Sequence, residues 1–209
     1  MKHAVRKFYT LIEIMVVIVI AAILFGIGIP AFTTMIQGSN MTVAIRQLSA
    51  KIQAARAFAV SNPNRSKVAV LLMETGIKED YCCSAYRVCV VDQDNKFQEW
   101  IEDENWKTLP KGVLRNPVTN PVTVTEIPAT DTSDIGGSSL TSAPALVFKA
   151  DGQLENSSSP TIELYQGRYV GGTDPIVYTE RNNDGKVIRH PIEVNKYSGK
   201  VTVKDINDN

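Results

Sequence analysis

Apolar and polar positions fall into three regimes along the chain. From Tyr9 to Ile45 a single side chain, Glu13, is formally charged, and the centre of this run reads Ile14-Met-Val-Val-Ile-Val-Ile-Ala-Ala-Ile-Leu-Phe-Gly-Ile-Gly-Ile29. Apolarity without alternation over such a length predicts a helix that is apolar on every face. As a helix, residues 9–29 would measure about 31 Å at ~1.5 Å per residue, enough to cross the hydrocarbon of a bilayer. The second regime follows Pro30. Met41, Ile45, Leu48, Ile52, Ala55 and Ala59 recur in alternating steps of four and three, which puts one apolar stripe on a helix. The stripe is too short for a coiled coil and predicts packing on the chain's own domain. It stops at Ser61-Asn-Pro-Asn64, where Pro63 disfavours helix at the residue before it. Gly26, Gly28, Pro30, Gly38 and Asn40 are the weak points of the helix, with Pro30 the predicted kink.

The third regime has period two and turn residues. Lys67–Leu72 reads as a strand. Tyr86–Val91 and Phe97–Ile101 read as a pair joined by Asp92-Gln-Asp-Asn95, and Val122–Ile127 alternates Thr and Val. Leu146–Ala150 runs into Asp151-Gly152, a two-residue hairpin signal. Thr161–Tyr165 alternates. Ile192 and Val194 lead through Lys196-Tyr-Ser-Gly199 to Val201 and Val203, a second hairpin. Thr130–Ser142, rich in Asp, Ser, Thr and Gly, reads as a loop.

Charge and composition narrow the class. The chain has 209 residues, 22 Lys+Arg against 22 Asp+Glu, and a net charge of +0. That balance argues against a general nucleic-acid binder and against a disordered, highly charged chain. Lys2, Arg6 and Lys7 lie just before the apolar run and no base follows it closely, so the positive-inside rule puts the N-terminus in the cytoplasm and the rest outside. A cleaved signal peptide would have an apolar core of only about 7–15 residues and a small-x-small site. This run is longer and continues into a helical pattern. A plain signal anchor fits the hydropathy as well.

Glu13 separates these readings. A carboxylate in a membrane helix needs a partner. The helix dipole and interfacial water are one solution. Another is a positive group: if the chain were cut before Tyr9, the new α-ammonium could meet its own Glu13 or the Glu13 of a neighbouring copy.

Tyr9-Thr-Leu-Ile-Glu13 and the run after it resemble the cleavage and methylation motif of type IV prepilins and type II secretion pseudopilins. The short basic stretch Met1–Phe8 is similar to their leader, Glu13 is the fifth residue counted from Tyr9, and Pro30 is the twenty-second, where the family carries a kinking proline. The resemblance departs at Phe8, where the family has Gly before the cut; cleavage between Lys7 and Phe8 would put both Glu13 and Pro30 out of register. It implies a prepilin peptidase acting between Phe8 and Tyr9, and N-methylation of Tyr9. Ala54-Ala55-Arg56-Ala57-Phe58-Ala59, Trp106-Lys-Thr-Leu-Pro-Lys-Gly-Val113, Leu146-Val-Phe-Lys-Ala-Asp-Gly152 and Ile192-Glu-Val-Asn-Lys-Tyr-Ser-Gly-Lys-Val201 resemble, in order, elements of the H-type minor pseudopilins and FimT-like pilins.

The expected fold is α+β, the pilin fold: a long N-terminal transmembrane helix continuing into a helix packed on a C-terminal antiparallel β-sandwich-like domain. Its parts would be a leader at 1–8, the membrane helix at 9–33, a periplasmic amphipathic helix at 34–62 and a β-rich domain at 63–209. The resemblance implies a subunit of a type II secretion pseudopilus or type IV pilus, at or near the tip. Its partners would be other pilin or pseudopilin subunits, the peptidase and an inner-membrane assembly platform. Two rivals remain: a DNA-binding minor pilin for uptake, which the neutral charge disfavours, and an anchored periplasmic protein that never assembles.

The remaining chemistry is sparse. Cys82, Cys83 and Cys89 are the disulfide candidates, with partly buried free thiols as the default. A bridge from Cys83 to Cys89 needs a loop between them, since six extended steps span about 20 Å, and a vicinal bridge would be strained. Asp92–Asn95 and Arg181–Gly185 suggest calcium loops but read better as turns. Arg46, Lys51, Arg56, Arg65 and Lys67 form a mild basic group that reads as a solvated face. His3 and His190 lack catalytic companions, and no triad or phosphate-cradling loop is visible. Neither an enzyme, a metal nor a cofactor is expected.

Overall fold

The computed structural model describes residues 10–61, 67–101, 105–137, 140–171 and 176–204, with the side chains of 27–38 also outside the description. Contacts divide the chain into two compact units, Met1–Ser39 and Asn40–Asn209. One helix, α1 (Leu11–Ser61), contributes to both.

In the first unit α1 opens at Thr10 and is helical throughout, Pro30 included. From Leu11 to Phe25 its large apolar side chains are exposed all round, Ile18 at 61% and Phe25 at 68%. Among the described residues no helix is long and apolar enough to cross a membrane. The apolar stretch with described side chains ends at Gly26, short of the ~20 residues a span needs. Residues 27–33, which complete the expected span, fall outside those side chains.

The second unit holds eleven strands among the described residues: β1 (Lys67–Leu72), β2 (Ala85–Val91), β3 (Phe97–Trp100), β4 (Lys107–Thr108), β5 (Val113–Arg115), β6 (Val122–Val124), β7 (Ala143–Lys149), β8 (Thr161–Tyr169), β9 (Ile176–Tyr178), β10 (His190–Val194) and β11 (Val201–Val203). They make two sheets. One runs β3-β2-β1-β7-β6, with β4 also on β2; the other runs β11-β10-β8-β5, with β9 also on β8. Every pairing between these strands is antiparallel.

The expected stripe is the hub of this unit. Met41, Leu48, Ile52, Ala55 and Ala59 are buried, Ala44 joins them, and Ile45 is half-buried. They share one core cluster with Val68, Val70, Leu72 and Phe148 of the first sheet and Ile162, Leu164, Ile192 and Val194 of the second. The sandwich-like expectation is thereby refined: the helix belongs to the core that joins the sheets. The first sheet is also buried on its other face, where Ala69, Leu71, Cys89 and Val147 pack with Ile127 and Ile135. That double burial explains why all six residues of β1 are buried and why the strand lacks clean alternation.

Two expectations change. Thr130–Ser142 is not wholly loop: Ala129–Ile135 is a 3-10 helix that buries Thr132 and Ile135. Trp100 Nε1 donates to Asp131 Oδ2 at 2.7 Å and Trp106 Nε1 to the Asp131 carbonyl at 2.9 Å, fastening this helix down. At Asp151-Gly152 the loop has three residues, not two. Lys149 N bonds to the Gln153 carbonyl, Gly152 N to the Lys149 carbonyl, and Gly152 takes φ +79°, the three-residue hairpin with a left-handed last position. The Asp92–Lys96 turn repeats the pattern with Asn95 at φ +61°.

Candidate functional site

The exposed apolar segment of α1 and its single acid form the strongest candidate. Thr10 is the residue before the helix, and Glu13 stands three positions on. Glu13 Oε2 accepts from Thr10 N at 2.8 Å and from Thr10 Oγ1 at 3.0 Å, and Glu13 N donates back to Thr10 Oγ1 at 3.3 Å. This is a capping box: each residue satisfies an amide that the helix start leaves orphaned. The Thr-x-x-Glu spacing was readable in the sequence but is hidden by the stronger apolar signal around it. Within its own chain Glu13 is therefore held by Thr10. Phe8 and Tyr9, the expected cleavage and methylation residues, lie outside the described residues. Pro30 lies within the helical backbone, and its side chain lies outside the description.

The cysteines form no disulfide in this structure. All three are free and buried. Cys82 Sγ donates to the Ile77 carbonyl and Cys83 Sγ to the Glu74 carbonyl, both at 3.5 Å. Cys83 has φ +55°, while Cys89 sits within β2 on the doubly covered side of the first sheet. Burial raises the pKa of Cys82; it raises that of Cys83 too, against the pull of Arg115; and it pushes Cys89 up to about 12. These are packing thiols rather than nucleophiles.

The two calcium-loop candidates are turns. Asp92 Oδ1 accepts from the amides of Asp94 (2.8 Å) and Lys96 (2.9 Å), and Asn182 Oδ1 accepts from Asp184 (3.0 Å) and Lys186 (2.8 Å). The oxygens a cation would use are taken by backbone donors. Among the described residues no group of three metal-ligating side chains stands together.

The basic group does not form one solvated face. Arg46 is exposed and Lys51 half-buried, but Lys67 is buried at 6% exposure. Its Nζ lies 2.5 Å from Glu155 Oε2 and donates to the Gln93 carbonyl at 2.7 Å. Arg56 Nε donates to the Gly152 carbonyl at 3.3 Å. Arg65 lies outside the described residues. Arg115, which the sequence reading passed over, is fully enclosed at 1% exposure. It donates to the Met73 carbonyl at 2.7 Å and the Asn116 carbonyl at 3.2 Å, with Glu74 Oε1 at 3.6 Å. Burial lowers its pKa and Glu74 opposes that. The arrangement sets a buried guanidinium beside a half-buried carboxylate, and its removal would leave carbonyls unpaired.

His190 is half-buried beside Glu180, and burial lowers its pKa against that carboxylate's pull. A cleft of about 470 Å³ is lined by Glu79, Asp80, Ser84, Lys111, Arg168 and Tyr169 among others. Ser84 Oγ donates to the Asp80 carbonyl at 3.0 Å, so the hydroxyl is tied to the backbone.

No protein-family model matches the chain, and no match to a curated protein was found. Two solved structures are similar, both of the type IV minor pilin FimU of Pseudomonas aeruginosa. One, in space group P21, has 13% sequence identity and a TM-score of 0.46, covering 80% of this chain and 90% of that one. The other, in space group P65, has 15% identity and a TM-score of 0.43, covering 80% and 94%.

Proposed function

We propose that this chain is a minor pilin-like subunit of a type II secretion pseudopilus or a type IV pilus, placed at or near the tip. It would wait in the inner membrane, held by residues 9–33, with its N-terminus in the cytoplasm and its β-rich part in the periplasm. Prepilin peptidase would remove the leader at Phe8/Tyr9, and Tyr9 would be methylated. An inner-membrane platform would then draw the subunit into the fibre. The protein acts through contacts and performs no catalysis.

The observation that carries this reading is the bareness of α1 from Leu11 to Phe25. Water-soluble surfaces seldom expose apolar patches beyond a few hundred Å², and a helix apolar on all sides belongs in lipid or among other helices. Lipid and neighbouring subunits serve those side chains about equally, so apolarity alone does not favour assembly. Glu13 supplies the preference. In lipid its charge has only its capping box; beside another subunit it can meet a Tyr9 ammonium, and both groups lose the cost of standing alone in hydrocarbon.

The capping box makes the test sharp. Glu13→Gln keeps a side chain able to complete the box but removes the charge. Thr10→Ala removes the box and keeps the charge. Fibres sheared from cells are assayed for the subunit, and its N-terminus is read by mass spectrometry. The expected result is a methylated Tyr9, strong loss of Glu13→Gln from fibres with normal membrane levels, and a milder loss for Thr10→Ala. An intact leader, or Glu13→Gln incorporated as well as the parent, overturns the proposal.

A further inference from the structure

Lys67, Asn95 and Glu155 come from three separate stretches and meet at one end of the first sheet. Lys67 opens β1, paired across the ladder with Val91 on one side and Lys149 on the other. Asn95 is the left-handed residue of the β2–β3 turn, at φ +61°. Glu155 follows Leu154, which bridges back to Phe148 of β7. The Lys67 side chain is 7% exposed and that of Glu155 26%.

Their polar atoms close a ring. Lys67 Nζ lies 2.5 Å from Glu155 Oε2 and donates to Asn95 Oδ1 at 3.2 Å. Asn95 Nδ2 donates to Glu155 Oε1 at 3.3 Å. The amine, the carboxamide and the carboxylate therefore each touch the other two. A buried ion pair alone is weak grounds for stability, since apolar residues of similar size often do as well. Glu155 Oε2 is also buried without an aligned hydrogen bond, despite the nearness of Nζ. The arrangement gathers what an acyl transfer from carboxamide to amine requires: an amine within hydrogen-bond reach of the carboxamide oxygen, and an acid–base group touching both nitrogens.

We propose that Lys67 and Asn95 are joined by an intramolecular amide bond between Nζ and Cγ, formed once the sheet has folded around them, with Glu155 as the proton carrier. The Lys67 ammonium gives one proton to Glu155, and the freed electron pair on Nζ forms the bond to Asn95 Cγ. The carbonyl electrons move onto Oδ1. Glu155 returns its proton to Nδ2, the carbonyl re-forms, and the Cγ–Nδ2 bond breaks. A second proton passes from Nζ to the departing nitrogen. One side-chain ammonium is consumed and one free ammonium ion leaves, so charge and atoms balance and no oxidant or reductant enters. The fold supplies proximity: intramolecular placement of this kind is worth effective concentrations of about 10⁵–10⁸ M in well-oriented systems. The product ties the first residue of β1 to the turn between β2 and β3.

The test uses the full chain extracted in detergent. It is digested and searched by tandem mass spectrometry for a branched peptide that joins the Lys67 and Asn95 fragments and is lighter than their sum by one ammonia. The expected result is that branched peptide in nearly every molecule. It should vanish in Lys67→Met, and in Glu155→Gln that still shows native resistance to protease. Recovery of Lys67 and Asn95 only in separate linear peptides overturns the proposal. So does an ammonia lost without branching, which marks cyclisation of Asn95 onto its own backbone, and so does a loss that persists in Lys67→Met. A Glu155→Gln chain that cross-links as fully as the parent overturns the role given to Glu155.

Discussion

Leu48→Ala and Ile18→Ala remove similar apolar groups from one helix and should have opposite consequences. Leu48 is fully buried in the cluster shared with both sheets, whereas Ile18 is 61% exposed within its own unit. Withdrawing a buried Leu side chain from water contributes about 1.5–3 kcal/mol on transfer alone. The cavity left behind raises the measured cost of Leu→Ala to about 2.7–5 kcal/mol. That range applies here, because Leu48 is fully enclosed in the cluster shared by the helix and both sheets. With a urea m-value of about 2 kcal/mol/M for a unit of this size, the unfolding midpoint should fall by roughly 1.4–2.5 M. Ile18→Ala should leave that midpoint within about 0.2 M, since an exposed side chain has little to lose on unfolding. The assay is urea unfolding of the full chain in micelles, followed by fluorescence of Trp100 and Trp106, both of which lie in the second unit. If Leu48→Ala shifts the midpoint by less than about 0.5 M, or Ile18→Ala shifts it more, the division of α1 into a core half and a bare half is wrong.

Three further outcomes follow from single positions. Burial holds the His190 pKa below its usual value, so the unfolded chain takes up the proton first; stability should fall as pH is lowered through about 6.5. Urea midpoints at about pH 7.5 and 5.5 should differ more in the parent than in His190→Gln, and an equal difference refutes the assignment. With its pKa pushed up to about 12, Cys89 holds roughly one thiolate in ten thousand at pH 8; iodoacetamide should leave it unlabelled until urea unfolds the chain, and rapid labelling of folded protein would count against its burial. A Cβ on Gly199, at φ +62°, would lie 2.6 Å from Arg56 Cδ and collide with the Gly152 carbonyl oxygen, whereas one on Gly112, at φ +84°, meets nothing within 4 Å. Gly112→Ala should therefore cost about 1–2 kcal/mol for the left-handed backbone alone, and Gly199→Ala distinctly more in the same unfolding assay.

Legibility followed the range of the interactions involved. Lys67–Leu72 was readable to the residue, and the pairs β2–β3 and β10–β11 were readable from alternation and the turns between them. The two pairs depend on neighbours close in sequence, and Lys67–Leu72 on its own run of strand-forming residues. Lys67 was misread because its partner Glu155 lies far along the chain, and a lysine beside other bases looks solvated until the sheet encloses it. Ala129–Ile135 was misread because Thr, Asp and Ser suit loops; what makes it a helix is burial of Thr132 and Ile135 and two indole bonds to Asp131. The two-residue β4 and the three-residue β5 and β9 are too short to carry a period, so only their partners define them. Of the candidate site, Glu13 is legible as an isolated charge, but the Thr10 hydroxyl that holds it is masked by the apolar run around it.

β1 is closed off on every side: helix and apolar side chains cover one face, a second cluster covers the other, and both edges are laddered to β2 and β7. No partial opening can reach its amides without dismantling the layers around it. Deuterium should therefore enter Val68–Leu72 only at the rate of global unfolding. A protease that trims the ends and turns of this molecule would find the strand only after the whole unit had come apart.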